Sequence, residues 1–228
     1  MDFTNFLHKI GLSHLVALTG TLDLNKFVDE ALHLQQKLNG DEVGKLYKYN
    51  VPKLAPDGSC SIGEELEDKP YDVSQIYEIN SKNSVWLWRL NALVSILHAK
   101  TAVDWLGIYK KVRKENGNEV LLKLAYCGAP SRAEFPLTKE FASRSNNSTA
   151  GLTGRAILIQ DLAQYTGSYY KCDSRVKSEF CCPIVDKRGS VLGIIDAESF
   201  TQNFFTPQKI VHIGKVCMDL GLTSRLNS

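Results

Sequence analysis

No apolar run in this chain approaches the ~20 residues that a membrane-spanning helix needs, so no membrane partner is expected. Dense Lys/Arg runs are also missing. The 27 basic and 25 acidic residues leave a formal net charge of +2. The short cluster Lys110, Lys111, Arg113 and Lys114 reads as a solvated strand end, so nucleic acid is not expected as a partner either. The first residues, Met1 to Gly11, carry Asp2 and lack the basic segment followed by an apolar stretch that marks a secretory signal. Cysteine is too sparse for a disulfide framework, with only Cys60, Cys127, Cys172, Cys181, Cys182 and Cys217 in 228 residues. These absences together point to a reducing, cytoplasmic compartment. None of the five histidines shares a metal-ligand spacing with a cysteine, and adjacent Cys181 and Cys182 point to opposite faces of a strand, so no metal is expected.

What is present is an ordinary globular composition, 43% hydrophobic and 23% charged, in a chain long enough for one large domain or one domain with an extension. Phe3, Phe6, Leu7 and Ile10 recur at helical spacing, and Leu24, Phe27, Val28, Ala31, Leu34 and Leu38 form a second stripe. Such stripes must face the main domain or a second copy of the chain. From Gly40 to Lys82 the prolines and Asp57-Gly58 predict a loop-rich connector. Asn83 or Ser84 then caps a helix ending near Lys100, with Leu87, Leu90, Val94 and Leu97 along one side.

Val103 to Val112 and Val120 to Tyr126 predict a hairpin across Glu115-Asn116-Gly117-Asn118, with Val120, Leu122, Leu124 and Tyr126 on one face. Ser143 to Thr149 is mostly Ser and Asn, residues that compete with regular structure, and reads as a lid or exposed insertion. Gly151 to Ile159 opens a short helix. Glu179 to Val185 and Val191 to Glu198 predict a second strand pair, and a last helix runs from Pro207 to Leu222 with Thr206 as its cap. The order implies an α+β domain over residues 82–226, an antiparallel sheet flanked by helices, behind a helical and irregular extension over residues 1–81.

Reactive groups concentrate in one stretch. Tyr170-Lys171-Cys172-Asp173 leads into Glu179, and Asp196 and Glu198 follow on the next strand. Period two places Glu179 with Cys181 on one face and Asp196 with Glu198 on one face. The three acids either line a solvated sheet surface or, if the faces coincide, converge on one site. Cys172 is either an inert loop cysteine or a thiol whose reactivity neighbouring Lys171 and the acids would tune. Trp105 and Tyr109 share a strand face with Gly107 between them, which fits core packing or an opening walled by two rings.

Taken together, Asp104-Trp105-Leu106-Gly107-Ile108-Tyr109, Gly151-Leu152-Thr153-Gly154-Arg155-Ala156, Cys172-Asp173, Ser178-Glu179 with Pro183, and Gly193-Ile194-Ile195-Asp196-Ala197-Glu198-Ser199 resemble the free methionine-(R)-sulfoxide reductase family in order and approximate spacing, over residues 83–224. The resemblance implies a GAF fold whose pocket holds the free amino acid. It implies Cys172 as the attacking thiol, with Glu179 and Asp196 as catalytic acids. It also implies that Glu179, Asp196 and Glu198 surround the substrate, with Trp105 and Tyr109 receiving its methyl-sulfur end. No bound cofactor is implied; an external thiol such as thioredoxin or glutathione would regenerate the enzyme.

Two features depart from the family. Thr153 stands where a cysteine is common between the glycines, and the upstream resolving cysteine has no counterpart among Arg132, Ala133 and Glu134. Cys127 and Cys181 are the candidates for that role within the chain. The alternative class is a non-catalytic GAF domain that senses a small molecule or redox state, since one fold hosts many functions. A homodimer built on the N-terminal stripes is a further expectation.

Overall fold

The structure is a computed structural model, and it describes residues 1–21, 38–54, 65–170 and 173–223. Cys172, Cys60 and most of the second N-terminal stripe, from Leu24 to Leu34, lie outside the described residues.

Helix α1, Phe3–Ile10, is capped by the Asp2 side chain on Asn5 N and ends at Gly11 in the left-handed region, φ 88°. A 3-10 segment, Ser13–Thr21, follows. The connector holds helix α2, Gly40–Leu46, with Asn39 and Glu42 forming a capping box, and two short antiparallel strands, β1 Lys48–Tyr49 and β2 Tyr71–Asp72. The long helix α3, Ser81–Thr101, starts a turn earlier than Asn83 or Ser84, because Asn80 supplies the capping oxygen to Asn83 N. It stops at Ala102, itself left-handed at φ 54°.

Strands β3, Trp105–Arg113, and β4, Glu119–Cys127, form the first hairpin. Then come β5, Glu134–Pro136; helix α4, Lys139–Ala142; helix α5, Asn146–Thr153; β6, Ile157–Ile159; β7, Ser178–Val185; β8, Val191–Ser199; and α6, Pro207–Leu222. The six-stranded sheet has the order β5-β4-β3-β8-β7-β6, with antiparallel pairing throughout. With helices on its faces it is an α+β fold of the GAF kind. The last helix has the Thr206 cap and first-turn Pro207 expected from sequence.

One sheet face carries Leu106, Ile108, Leu122, Phe180, Cys182, Ile184, Ile195 and Ala197. It packs against α3 and α6 through residues such as Leu90, Leu97, Val211 and Val216. Phe6, Leu7 and Ile10 of α1 are fully buried in this same core, and Ile10 O accepts from Ala156 N at 2.8 Å. The first N-terminal stripe therefore faces the main domain. The opposite face carries Trp105, Tyr109, Leu121, Phe135, Cys181 and Ile194, and α4 and α5 cover it through Phe141 and Ala150.

Two sequence expectations fail here for identifiable reasons. In the β3–β4 register Ile108 pairs with Ala125 and Tyr109 with Lys123, so Leu124 is an extra residue and the pairing is bulged. The bulge breaks the alternation: Tyr126 lies opposite Gly107 on the α5-covered face, while Leu122 and Leu124 belong to the other core. The Ser/Asn stretch is not a lid or exposed insertion. Ser145 caps α5 by accepting from Ser148 N, and Asn146, Asn147 and Ser148 are buried. The short helix therefore begins before Gly151 and has ended by Gly154, leaving Ile157–Ile159 as a strand.

Candidate active site

The β7–β8 register sets Glu179 opposite Glu198 and Cys181 opposite Asp196. The β3–β8 register sets Trp105 opposite Glu198 and Gly107 opposite Asp196. Strand alternation and register together therefore bring Glu179, Cys181, Asp196, Glu198, Trp105 and Tyr109 to one face, the face α5 covers. Glu179 and Asp196 are 4% and 2% exposed, so the acids do not line a solvated surface. Glu198 is half-buried between Glu179 and Trp105 in the strand order.

Two consecutive side chains of α5 meet the acids. Asn146 Nδ2 donates to Glu179 Oε2 at 2.9 Å, and Asn147 Nδ2 donates to Asp196 Oδ2 at 3.0 Å. Between the acids sits the Cys181 sulfur, 3.0 Å from Asn147 Oδ1, 3.1 Å from Glu179 Oε1 and 3.5 Å from Asp196 Oδ1. The Tyr169 side chain also lies near Glu179.

Burial raises the pKa of Glu179, although Cys181, Asn146 and Tyr169 act the other way. Asp196 is pushed up strongly, first by burial and then by the neighbouring Glu179 charge. Cys181 is likewise held well above the usual thiol range, by burial and by both acids, and burial with the nearby acids raises Tyr169. A buried acid pair with raised pKa values can keep a proton near neutrality, which is what a general acid requires. The ligand atoms of Glu179, Cys181 and Asp196 lie within 4.8 Å of one another, close enough to surround a cation.

The aromatic wall is built by β3, β4 and the loop after β4. The Trp105 ring stacks on Tyr126 with centroids 6.3 Å apart, and its Nε1 donates to Ala129 O at 2.9 Å. Of the two sequence readings at Gly107, core packing and an opening, the structure has the first: the Trp105 indole lies over that glycine, and a Cβ there would fall 2.3 Å from it. Tyr109 is buried and packs edge-on against Phe135. Phe135 and Phe141 in turn contact Tyr170. Arg132 donates from Nη1 to the Tyr170 hydroxyl at 2.8 Å and stacks 4.8 Å from the Phe141 centroid. Its Nε also donates to Glu134 O. Tyr169 and Tyr170, just upstream of Cys172 in sequence, are thus tied to the acids and to this rim.

The two candidate resolving thiols lie on opposite faces of the sheet. Cys127 pairs with Leu106 and packs against the opposite sheet face. Cys181 lies on the face of the acids and is fully buried, and burial with the two acids raises its pKa.

Sequence reasoning missed Asn146, Asn147 and Tyr169. The signal for the first two was Ser145, a helix cap placed directly before them, outweighed by a composition that reads as loop.

Among the described residues no helix is long and apolar enough to cross a membrane. No family model matches the chain. Protein ZMO0507 of Zymomonas mobilis is 25% identical over 119 residues, spanning 52% of this chain and 67% of that protein. The type II free methionine-R-sulfoxide reductase of Thermoplasma acidophilum is similar in structure at a TM-score of 0.50 and 21% identity, over 58% of this chain and 87% of its own. The free methionine-R-sulfoxide reductase of Neisseria meningitidis, solved with its substrate, gives 0.51 and 20% over 60% and 75%. A GAF domain structure gives 0.50 and 17% over 88% and 97%. These likenesses establish the fold, which is that of GAF domains and of the free methionine-R-sulfoxide reductases.

Proposed function

We propose that this protein reduces free methionine-(R)-sulfoxide to methionine with Cys172 as the attacking thiol. The observation that carries the reading is the buried pair Glu179 and Asp196, held on the same sheet face as Trp105 and Tyr109, in the position the resemblance assigns to the family's acids. Nucleophilic Cys172 attacks the sulfoxide sulfur, and a protonated carboxyl of the pair delivers a proton to the oxygen as the S–O bond is cleaved. The released oxygen, as hydroxide, then attacks the Cys172 sulfur and the S–S bond breaks, so methionine leaves with that electron pair and Cys172 carries the oxygen as a sulfenic acid. Two external thiols then reduce the sulfenic acid to the thiol, forming their own disulfide and one water. In this reading the external donor is a thiol such as thioredoxin or glutathione. Glu179, Asp196 and Glu198 hold the substrate ammonium, and Trp105 and Tyr109 hold its methyl-sulfur end.

A second reading, a small-molecule or redox sensor, has its own support: protein amides already satisfy one oxygen of each buried acid, and the Trp105 ring fills the space over Gly107. Turnover distinguishes the two. With dithiothreitol as reductant, the R epimer of free methionine sulfoxide is expected to yield methionine and the S epimer none, with loss of activity in Cys172→Ser. An inactive wild type that still binds the sulfoxide would move the protein to the sensor class.

A further inference from the structure

The sulfur of Cys181 has three oxygen neighbours at 3.0–3.5 Å but only one proton of its own. That proton can satisfy one of the three contacts. A carboxylate oxygen held against sulfur with no proton between them is repelled, so with the thiol proton on Asn147 Oδ1 the Glu179 contact at 3.1 Å calls for a proton supplied by the acid, while Asp196 Oδ1 stands off at 3.5 Å. The other oxygen of each acid, Glu179 Oε2 and Asp196 Oδ2, is occupied by an amide N–H, which can only donate. The proton of the pair is therefore excluded from the outer oxygens and belongs on the oxygens that face Cys181.

We infer that Asn146 and Asn147 are positioning residues that assign the proton shared by Glu179 and Asp196, holding it on the inner oxygens beside the Cys181 sulfur. Asn147 does this from two sides, since its Nδ2 donates to Asp196 while its Oδ1 accepts from the Cys181 thiol. Asn146 does it for Glu179. The groups facing the pair are Cys181 on β7, Tyr169 from the loop before Cys172, Glu198 on β8, and the two amides of α5. Tyr169 remains a phenol, because burial and the acids oppose its ionisation.

The catalytic consequence rests on the reductase reading, but the proton assignment does not. Both amides donate to the ionised form of an acid, so removing either one favours the protonated form and moves the titration of the pair upward. A hydrogen bond to a charged group is strong enough to make that shift about one pH unit or more.

The experiment is an infrared titration of the protonated-carboxyl band in the full chain. Asp196→Asn and Glu179→Gln identify the band by removing it. The midpoint is expected to rise in Asn146→Leu and Asn147→Leu. Asn147→Ser, too short to reach Asp196, gives the same reading if the leucine variant does not fold. Folded variants with unchanged midpoints would overturn the assignment. In turnover of the R epimer, the alkaline limb of the pH profile is expected to move upward with the infrared midpoint. A wild type without turnover but with the infrared shift would sink the reductase reading and leave the proton assignment standing.

Discussion

Asp196 is an acid placed where water does not reach, and that has a measurable cost. Burial raises its folded-state pKa, with the neighbouring Glu179 charge adding to the shift. Between the ordinary carboxyl range and the raised value, the folded chain binds more protons than the unfolded one, so stability falls as pH rises through that window. Asp196→Asn removes the titration while keeping an oxygen to accept from Asn147. Chemical denaturation of this variant is expected to show a flatter dependence on pH, with a gain over wild type that grows toward alkaline pH. Equal slopes for the two proteins would mean that Asp196 ionises normally. At this scale the sequence was partly legible. Period two grouped Glu179 with Cys181 and Asp196 with Glu198, but only the pairing of Glu179 with Glu198 shows that the two groups share a face. The amides that meet them come from a segment more than 30 positions earlier, which no local pattern reveals.

At the scale of the element, helix α5 brings the site's amides into place, and its start depends on one cap. Ser145 accepts from Ser148 N at 3.2 Å. Ser145→Ala is expected to cost about 1 kcal/mol of stability by denaturant titration, and it should impair turnover beyond that loss because Asn146 and Asn147 sit in the first turn. Capped and punctuated elements were the legible ones: the hairpin turn at Asn116-Gly117, with Gly117 at φ 82°, and the Thr206-Pro207 start of the last helix. The bulge at Leu124 was not, because Val120, Leu122, Leu124 and Tyr126 alternate cleanly in sequence while the register slips by one residue. The Ser/Asn helix was not, because buried partners outweigh the weak helix preference of its side chains.

Across the whole molecule, residues before the GAF sheet contribute to its core. Phe6, Leu7 and Ile10 are fully buried against it, and the Tyr49 ring from the connector meets Tyr126 edge-on at 5.5 Å. The Tyr49 hydroxyl also donates to Lys123 O at 2.9 Å, which fastens the connector to β4 beside the bulge. Phe6→Ala is therefore expected to destabilise the entire domain by about 3–5 kcal/mol in a single cooperative transition. A separate early transition, with the rest unaffected, would show the N-terminal helix to be an independent unit. The apolar stripe of α1 announced in sequence that it must be covered, but not by what, since stripe chemistry is the same for a domain face and a second copy.

In the proposed reaction Cys172 takes the oxygen of the sulfoxide and an external thiol, not Cys127 or Cys181, regenerates it. The most direct measurement is a single turnover without reductant: reduced protein is mixed with excess R epimer, released methionine is counted, and a sulfenic-acid trap is located by mass spectrometry. One methionine per chain is expected, with the trap on Cys172 and no disulfide to Cys127 or Cys181. No methionine and an unmodified Cys172 would contradict it.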